Sequence, residues 1–169
     1  GHIMSFNNRG VVAIGGSEVT EQDVRRVIEN ARAVQIPADR QMIATVPQEF
    51  LVDDNDGIKQ PVGIAGSMLQ VNVHIITARK ADVLNVIQCC ERAKLHVLNV
   101  FSNMRASARA VLDRDEKELG VVMCDVGGGT TDLSLIGLSR SGRDLAVQRL
   151  AVGGHDVAGL HPWNVFHAI

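Results

Sequence analysis

The stretch that decides the fold is Val121-Val122-Met123-Cys124-Asp125-Val126-Gly127-Gly128-Gly129-Thr130-Thr131-Asp132-Leu133-Ser134-Leu135-Ile136. An apolar run leads into an aspartate, three glycines follow, and a Thr-Thr-Asp segment opens a second apolar run. This order predicts a strand, a tight turn and a second strand. Because glycine has no Cβ, such a turn can bring successive backbone N–H groups close to an anion. The turn is therefore the first candidate for chemistry.

The residues of this turn have the chemistry of a nucleotide-phosphate site. Carboxylates offer hard oxygens to a Mg²⁺ that travels with a nucleotide, and threonine hydroxyls add donors. We expect a phosphate-binding set made of Asp125, Gly127, Gly128, Gly129, Thr130, Thr131 and Asp132, in which Asp125 also contacts the nucleotide-bound Mg²⁺. A glycine-rich hairpin without a ligand is the alternative. A Walker loop is excluded, because no Gly-Lys-Ser/Thr ends the segment and no helix follows directly.

Composition excludes several classes of protein. The 169 residues are 46% hydrophobic and 21% charged, as in ordinary globular chains. The net charge of −2, with 3% aromatic residues and no tyrosine, disfavours nucleic-acid binding. The three cysteines have no zinc-ligand spacing and are typical of reduced core thiols in a cytosolic protein. We find no signal peptide and no apolar run of about 18 residues that would span a membrane.

The first half of the chain predicts strands and helices in turn. Val11 to Ile14 forms a short strand, and a capping box at Thr20 opens a helix from about residue 21 to 34. A strand from Gln41 continues past Pro47 to Val52. The alternation from Ser67 onward predicts a half-buried strand whose polar face carries His74 at the surface.

The acidic segment from Asp53 to Gly57 resembles a calcium loop at first sight. Its glycine stands fifth rather than sixth, and its twelfth position is Ile64 rather than glutamate. The segment therefore predicts a solvated turn.

The second half begins with a helix that ends in Glu91, Arg92 and Lys94. A short apolar strand over residues 95–101 and an alanine-rich helix over 102–112 are expected next. Residues 113–118 are read as a charged connection with no catalytic role. After the glycine turn we expect a strand over residues 145–152, and from His155 onward no periodic pattern appears.

Several stretches match one family in order along residues 1 to about 154. They are Gly1-His2-Ile3, Ser5-Phe6-Asn7, Arg9 to Ile14, Ile36 to Arg40, Val46 to Phe50, Asp53-Asp54, Gly57-Ile58-Lys59, Pro61-Val62-Gly63, Val73 to Thr77, Glu118 to Val121 and the glycine turn. Together they resemble the FtsA family of actin-like proteins of bacterial cell division. Because the match includes the first residues, we expect the chain to be a piece of a longer protein.

The resemblance implies an α/β (mixed α+β) chain that forms part of an actin-like ATPase fold. Residues 1–10 would be the end of a strand and a linker from the first subdomain. Residues 11–95 would form an inserted strand-helix-strand-strand interaction module, and 96–154 part of the first nucleotide-binding subdomain. Residues 155–169 stay unassigned. The family's first phosphate loop, second lobe and amphipathic tail are not matched, so we expect the chain alone to bind ATP poorly.

The resemblance also implies a function. The protein would be an ATP- and Mg²⁺-binding scaffold of cell division that assembles into filaments and links the division ring to the membrane and to later division proteins. Its partners would be FtsZ, other division proteins and further copies of itself, with no nucleic acid. It would lie in the cytoplasm at the inner face of the membrane, at the division site, and be tethered only through a segment that these residues do not include.

Two other functions are weighed against this one. The chain could be a protein-interaction module without nucleotide chemistry, because residues 11–95 contain no convergent polar set. A sugar kinase or chaperone ATPase would share the glycine turn. That class is disfavoured, because the stretches from Val46 to Phe50 and from Gly57 to Lys59 are not features of those families.

One departure from the family concerns catalysis. Relatives usually carry Glu-Pro-Leu-Ala-Ser-Ala where this chain has Asn103-Met104-Arg105-Ala106-Ser107-Ala108. Asn103 is a candidate for positioning the attacking water, but an amide cannot act as a carboxylate base. We therefore expect at most a weak ATPase in the full-length protein and no activity in this chain alone.

Overall fold

The computed structural model describes residues 3–127, 131–136, 146–150 and 165–168. The chain forms two compact units, Gly1–Phe101 and Ser102–Ile169. Both units combine helices with antiparallel sheet, which confirms the predicted mixed α/β class. The elements of the first unit are β1 (Ile3–Ala13), α1 (Glu21–Arg32), β2 (Arg40–Val52), β3 (Asn55–Ile58), β4 (Met68–Arg79) and α2 (Lys80–Arg92).

The sheet of the first unit has the strand order β1-β4-β2-β3, and every neighbouring pair is antiparallel. β1 pairs with β4 along its whole length, from Ile3 opposite Ala78 to Ala13 opposite Met68. In β2 the register shifts between Pro47 and Glu49. Proline has no N–H to donate, and a bulge accommodates it within a ladder. The strand predicted across Pro47 is thereby confirmed.

One helix covers one face of this sheet. α1 begins as predicted, with Thr20 as its N-cap in a capping box with Asp23. Its apolar stripe packs on the alternate residues of β4 that face it. The buried residues of this core are Ile14, Val19, Val27, Ala31, Phe50, Val52, Leu69, Val71, Val73 and Ile75.

Four predictions for the first unit need correction. Only Asp53 and Asp54 form the turn that was predicted from Asp53 to Gly57, because Asn55–Ile58 is the strand β3. The first strand begins at Ile3 rather than Val11. His74 is not a surface histidine, since it is 5% exposed. β4 is a central strand, and the His74 Nδ1 lies 2.7 Å from Oδ1 of Asn7 on β1. Residues 95–101 form no strand in the described structure, and Leu98 is 88% exposed.

The second unit contains α3 (Asn103–Val111), α4 (Arg114–Leu119), β5 (Val121–Val126), β6 (Thr131–Ile136), β7 (Ala146–Leu150) and β8 (Val165–Ala168). Its sheet has the order β7-β6-β5-β8 and is antiparallel. The two strands predicted on either side of the glycines are confirmed by the β5–β6 pair. The prediction of a charged connection over residues 113–118 is wrong, because the helix α4 lies there. β8 lies in the segment from His155 onward, for which the sequence showed no periodic pattern.

No helix of the described ranges, in either unit, has the length and apolar content needed to cross a bilayer.

Candidate functional site

The candidate site lies at the glycine-turn end of the β5–β6 hairpin. Asp125 on β5 stands directly opposite Asp132 on β6. In an antiparallel pair, residues directly opposite each other place their side chains on the same face. Asp132 is 7% exposed and Asp125 is half-buried. The two predicted carboxylates therefore share one face at the end of the hairpin.

α3 contributes its first turn to the same place. Ser102 is its N-cap and accepts from the backbone N–H of Arg105 at 3.5 Å. Asn103 is the first helical residue, and its Nδ2 donates to Oδ2 of Asp132 across 3.0 Å. The N-terminus of a helix carries a positive partial charge that favours anions. This positive end of α3 can therefore stabilise the Asp132 carboxylate and a phosphate bound next to it.

Apolar packing fixes the helix on the hairpin. One face of α3 packs against the side of the β5–β6 hairpin on which the two aspartates lie. The strand residues in this contact come before Asp125 on β5 and after Asp132 on β6. The buried cluster consists of Met104, Ala108, Leu112, Val121, Met123 and Ile136. Because these residues form a small closed core, the polar end of the hairpin and the start of α3 are held in one arrangement.

The structure brings together several residues of the predicted set. Asp125, Asp132 and Asn103 meet as described above. Gly127 and Thr131 flank the turn and are half-buried. The remaining predicted residues, Gly128, Gly129 and Thr130, lie outside the described residues.

The carboxylates of the site can be compared with what a divalent cation such as Mg²⁺ requires of its ligands. Among the described residues, no three His, Cys, Asp or Glu side chains converge to hold a metal ion by themselves. Mg²⁺ is usually bound by one or two carboxylates together with waters and substrate phosphates, and does not need a complete protein cage. Asp125 and Asp132 fit that requirement, so the residues present are compatible with a nucleotide-bound Mg²⁺.

Two buried serines of the site were missed. Ser102 caps α3, and Ser134 on β6 lies opposite Met123, on the face that Asp132 shares. The period of two along β6 places residues 132, 134 and 136 on one face, and this signal could have identified Ser134. The cap could have been identified from a serine that precedes an alanine-rich helix.

Comparisons with known proteins agree on one family. Residues 1–77 match the family described as the SHS2 domain inserted in FTSA. The chain is similar to the cell division protein FtsA of Pseudomonas aeruginosa (41% identity), of Neisseria meningitidis (43%) and of Escherichia coli K12 (38%), each over 134 residues. These matches cover 79% of this chain and 32% of each relative. The chain thus spans about a third of the length of the curated relatives it matches.

A solved structure shares the fold. A chain of a PilM-PilN type IV pilus biogenesis complex superposes with a TM-score of 0.54 and 19% identity, over 90% of this chain and 41% of that one. At this identity the likeness shows the fold alone. Together with the family match, it identifies part of an actin-like ATPase fold.

Proposed function

The chain belongs to the FtsA family, and from this premise we propose that it serves cell division as part of an actin-like scaffold that binds Mg·ATP. The observation that carries the nucleotide proposal is the meeting of Asp125 and Asp132 on one face, beside the first residue of α3. Two anionic side chains at the end of a glycine-rich hairpin suit the Mg²⁺ of a bound nucleotide better than they suit a bare packing role.

Each part of the site has an assigned role in this proposal. Asp125 would hold the Mg²⁺ of the nucleotide, and Asp132 on the opposite strand would add a second negative charge beside it. Gly127, Thr131 and the residues between them supply backbone and hydroxyl donors to the phosphates. When bound, the Mg²⁺ neutralises phosphate charge. The chain's own contribution is to orient the phosphate tail against β5 and β6.

Catalysis is proposed to be weak. The Asn103 amide already donates to Asp132, and an amide cannot accept the proton of an attacking water as a carboxylate base does. The site is therefore suited to holding a nucleotide and poorly suited to hydrolysing it quickly. ATP binding would then act as a signal for assembly.

The cellular setting follows from the family. The proposed partners are FtsZ, other division proteins and further copies of the same protein, which would assemble into filaments. The proposed location is the cytoplasmic face of the membrane at the division site, reached through a tethering segment outside these 169 residues. The names of the relatives, which are cell division proteins, support these assignments.

Calorimetry tests the nucleotide proposal. The full-length protein is titrated with Mg·ATP as wild type, as Asp125→Ala and as the control Asp115→Ala, which removes an exposed acid of α4. We expect the control to bind like wild type and Asp125→Ala to lose most of its affinity. Equal heats for all three proteins would remove Asp125 from the site. The 169-residue chain alone should show little binding.

A second candidate function is supported by the first unit. Among its described residues no cluster of metal-binding side chains occurs, while several large apolar side chains are exposed. A unit of this kind is suited to contacting other proteins. The test is a pull-down of FtsZ and other purified division proteins with the full-length protein, as wild type and as Asp125→Ala. Capture that survives Asp125→Ala supports an interaction role independent of nucleotide, and no capture at micromolar concentration contradicts it.

A further inference from the structure

β1 forms one edge of the sheet of the first unit. It is 11 residues long and pairs on one side only, with β4, among the described strands. The opposite edge is β3, which has four residues and includes Asp56 and Gly57. Short, charged edge strands resist pairing with other chains, whereas long edges invite it. β1 is therefore the edge at which another strand could add.

The hydrogen bonds of β1 show which of its backbone groups point outward. The N–H of Val11 donates to Oδ1 of Asn30 at 3.0 Å, and the carbonyl of Ala13 accepts from Nη2 of Arg26 at 3.1 Å. Both partners are on α1, so residues 11 and 13 point away from β4. Backbone groups alternate in direction along an antiparallel strand. By this alternation Ile3, Asn7 and Arg9 also direct their backbone groups outward.

α1 covers only the second half of this edge. Asn30 and Arg26 bond to residues 11 and 13, and Gly10 lies buried against α1. Nearer the start of the strand, Nδ2 of Asn8 donates to the carbonyl of Ala31 at 2.8 Å. The backbone groups that bond to the helix are thus those of Val11 and Ala13, while residues 3–7 precede the Asn8 contact and Arg9 lies between the two.

The side chains of this uncovered half have two distinct faces. Met4 and Phe6 lie on the face that α1 covers further along the strand, and they are 57% and 37% exposed. Arg9 lies on the other face, is exposed, and its Nε donates to Oδ1 of Asn72 at 3.0 Å. β1 contains no acidic residue. An added strand would complement this edge if it had apolar residues on one face and an acid on the other.

We propose that the Ile3–Arg9 half of β1 is a docking edge for an extended, acidic peptide segment of a partner protein, which adds to the sheet as a further strand. Main-chain bonds to Ile3, Asn7 and Arg9 would supply affinity, and contacts with Met4, Phe6 and Arg9 would supply specificity. The docking edge deepens the interaction role proposed for the first unit and is independent of nucleotide binding.

A second copy of this chain fits the edge less well than an acidic segment does. Two antiparallel β1 strands would bring two arginines and no acid to the interface. Like charges across a strand pair destabilise it, and opposite charges stabilise it. Charge complementarity thus favours a partner that supplies the acid.

The probe is an eight-residue peptide, Thr-Val-Thr-Val-Asp-Val-Thr-Val with blocked ends, added to the 169-residue chain. A matched peptide has lysine in place of aspartate. We expect the aspartate peptide to bind about two- to fivefold more tightly, as exposed ion pairs allow. Amide exchange measured by NMR should slow at Asn7 and Arg9 and stay unchanged at Asn8, whose N–H points to β4.

Variants make the test specific. In Arg9→Glu the preference between the two peptides should reverse, whereas the control Arg25→Glu, at an exposed position on α1, should leave it unchanged. Met4→Ser combined with Phe6→Ser should weaken both peptides. Exchange that slows equally at residues 7, 8 and 9, or a preference unaltered by Arg9→Glu, would overturn the proposal. Dimerisation of the peptide-free chain through β1 would overturn it in favour of self-pairing. None of these outcomes bears on the calorimetry of Mg·ATP.

Discussion

Asn103 at the start of α3 donates its side-chain amide to the buried carboxylate of Asp132 on β6, with 3.0 Å between Nδ2 and Oδ2. The bond ties the helix N-terminus to the strand that leaves the glycine turn. It also directs the amide toward a residue of the candidate phosphate site. Within this structure Asn103 is thus a positioning residue for Asp132, and its predicted role toward a water molecule stays a prediction.

The first prediction concerns this bond. Asn103→Ala removes one donor to Asp132, and hydrogen bonds to charged groups contribute about 1.5–3 kcal/mol. Because Asn103 itself is exposed, we expect a lower cost, about 1 kcal/mol. Native-state amide exchange in β5 and β6 measures this loss of stability. The exposed residue Arg109→Ala on the same helix is the control. Equal exchange in both variants would show that the bond does not stabilise the unit.

The second prediction concerns pH and the cap of α1. The hydrogen bond from the Thr20 hydroxyl is the main cause that lowers the pKa of Asp23 below its ordinary 3.8, followed by the Thr20 backbone N–H. A carboxyl whose pKa is lower in the folded state stabilises the fold above its unfolded pKa, and this stability is lost as the pH falls below 3.8. Thr20→Ala should cost about 0.5–2 kcal/mol at pH 7 and distinctly less in acid.

The stability lost in Thr20→Ala is measured by amide exchange and urea unfolding of the first unit. Both measurements are made at pH 7 and near pH 3. Glu29→Gln, an exposed acid on the same helix, serves as the control and should change stability little at either pH. A penalty for Thr20→Ala that is the same at both pH values would show that the Asp23 charge has no part in the cap.

Local patterns in the sequence were sufficient for much of the fold. The β5–β6 pair, the capped start of α1 and the strand across Pro47 each follow from residues within one short window. The start of α4 was readable in the same way, since Asp113 and Glu116 form a capping box. It was missed because a run of charges was interpreted as a solvated connection.

Other features depend on which strands become neighbours, and a single sequence window does not contain that information. His74 alternates like a surface residue, yet β4 lies between β1 and β2, and Asn7 meets it from 67 residues away. Residues 95–101 are apolar enough for a strand, but no described strand of their unit pairs with them. Likewise, the bond between Asn103 and Asp132 joins residues whose types were identified but whose contact could not be predicted.

The third prediction concerns the turn between β2 and β3. Asp53 has φ 52 and accepts from the backbone N–H groups of Ser67 and Met68, at 3.1 and 3.0 Å. Asp53→Ala loses these bonds and tolerates the left-handed backbone poorly, so we expect a loss of about 1–3 kcal/mol. Asp53→Asn keeps an acceptor oxygen and suits positive φ, so its loss should be smaller. Asp54→Ala, at an exposed neighbour, is the control.

Urea unfolding followed by amide exchange in β2 and β4 ranks these three variants. We expect the free energy of unfolding to fall most for Asp53→Ala, less for Asp53→Asn and least for Asp54→Ala. An equal loss for the two alanine variants would mean that the carboxylate of Asp53 does not join the turn to β4.

The last prediction concerns the contact between β1 and α1. A Cβ added at Gly10 would meet the carbonyl oxygen of Val27 and lie 2.7 Å from the backbone N of Ala31, both in the helix backbone. A helix backbone cannot yield as a flexible side chain can, so Gly10→Ala must push α1 away from the sheet. Overpacking of this kind costs typically about 1–3 kcal/mol. Gly16→Ala is the matched control, because nothing lies within 4 Å of the added atom there. We expect faster amide exchange in α1 and β1 for Gly10→Ala and wild-type exchange for Gly16→Ala. Wild-type exchange in both would show that the helix can shift at no cost, and that the glycine is not what sets its distance from the sheet.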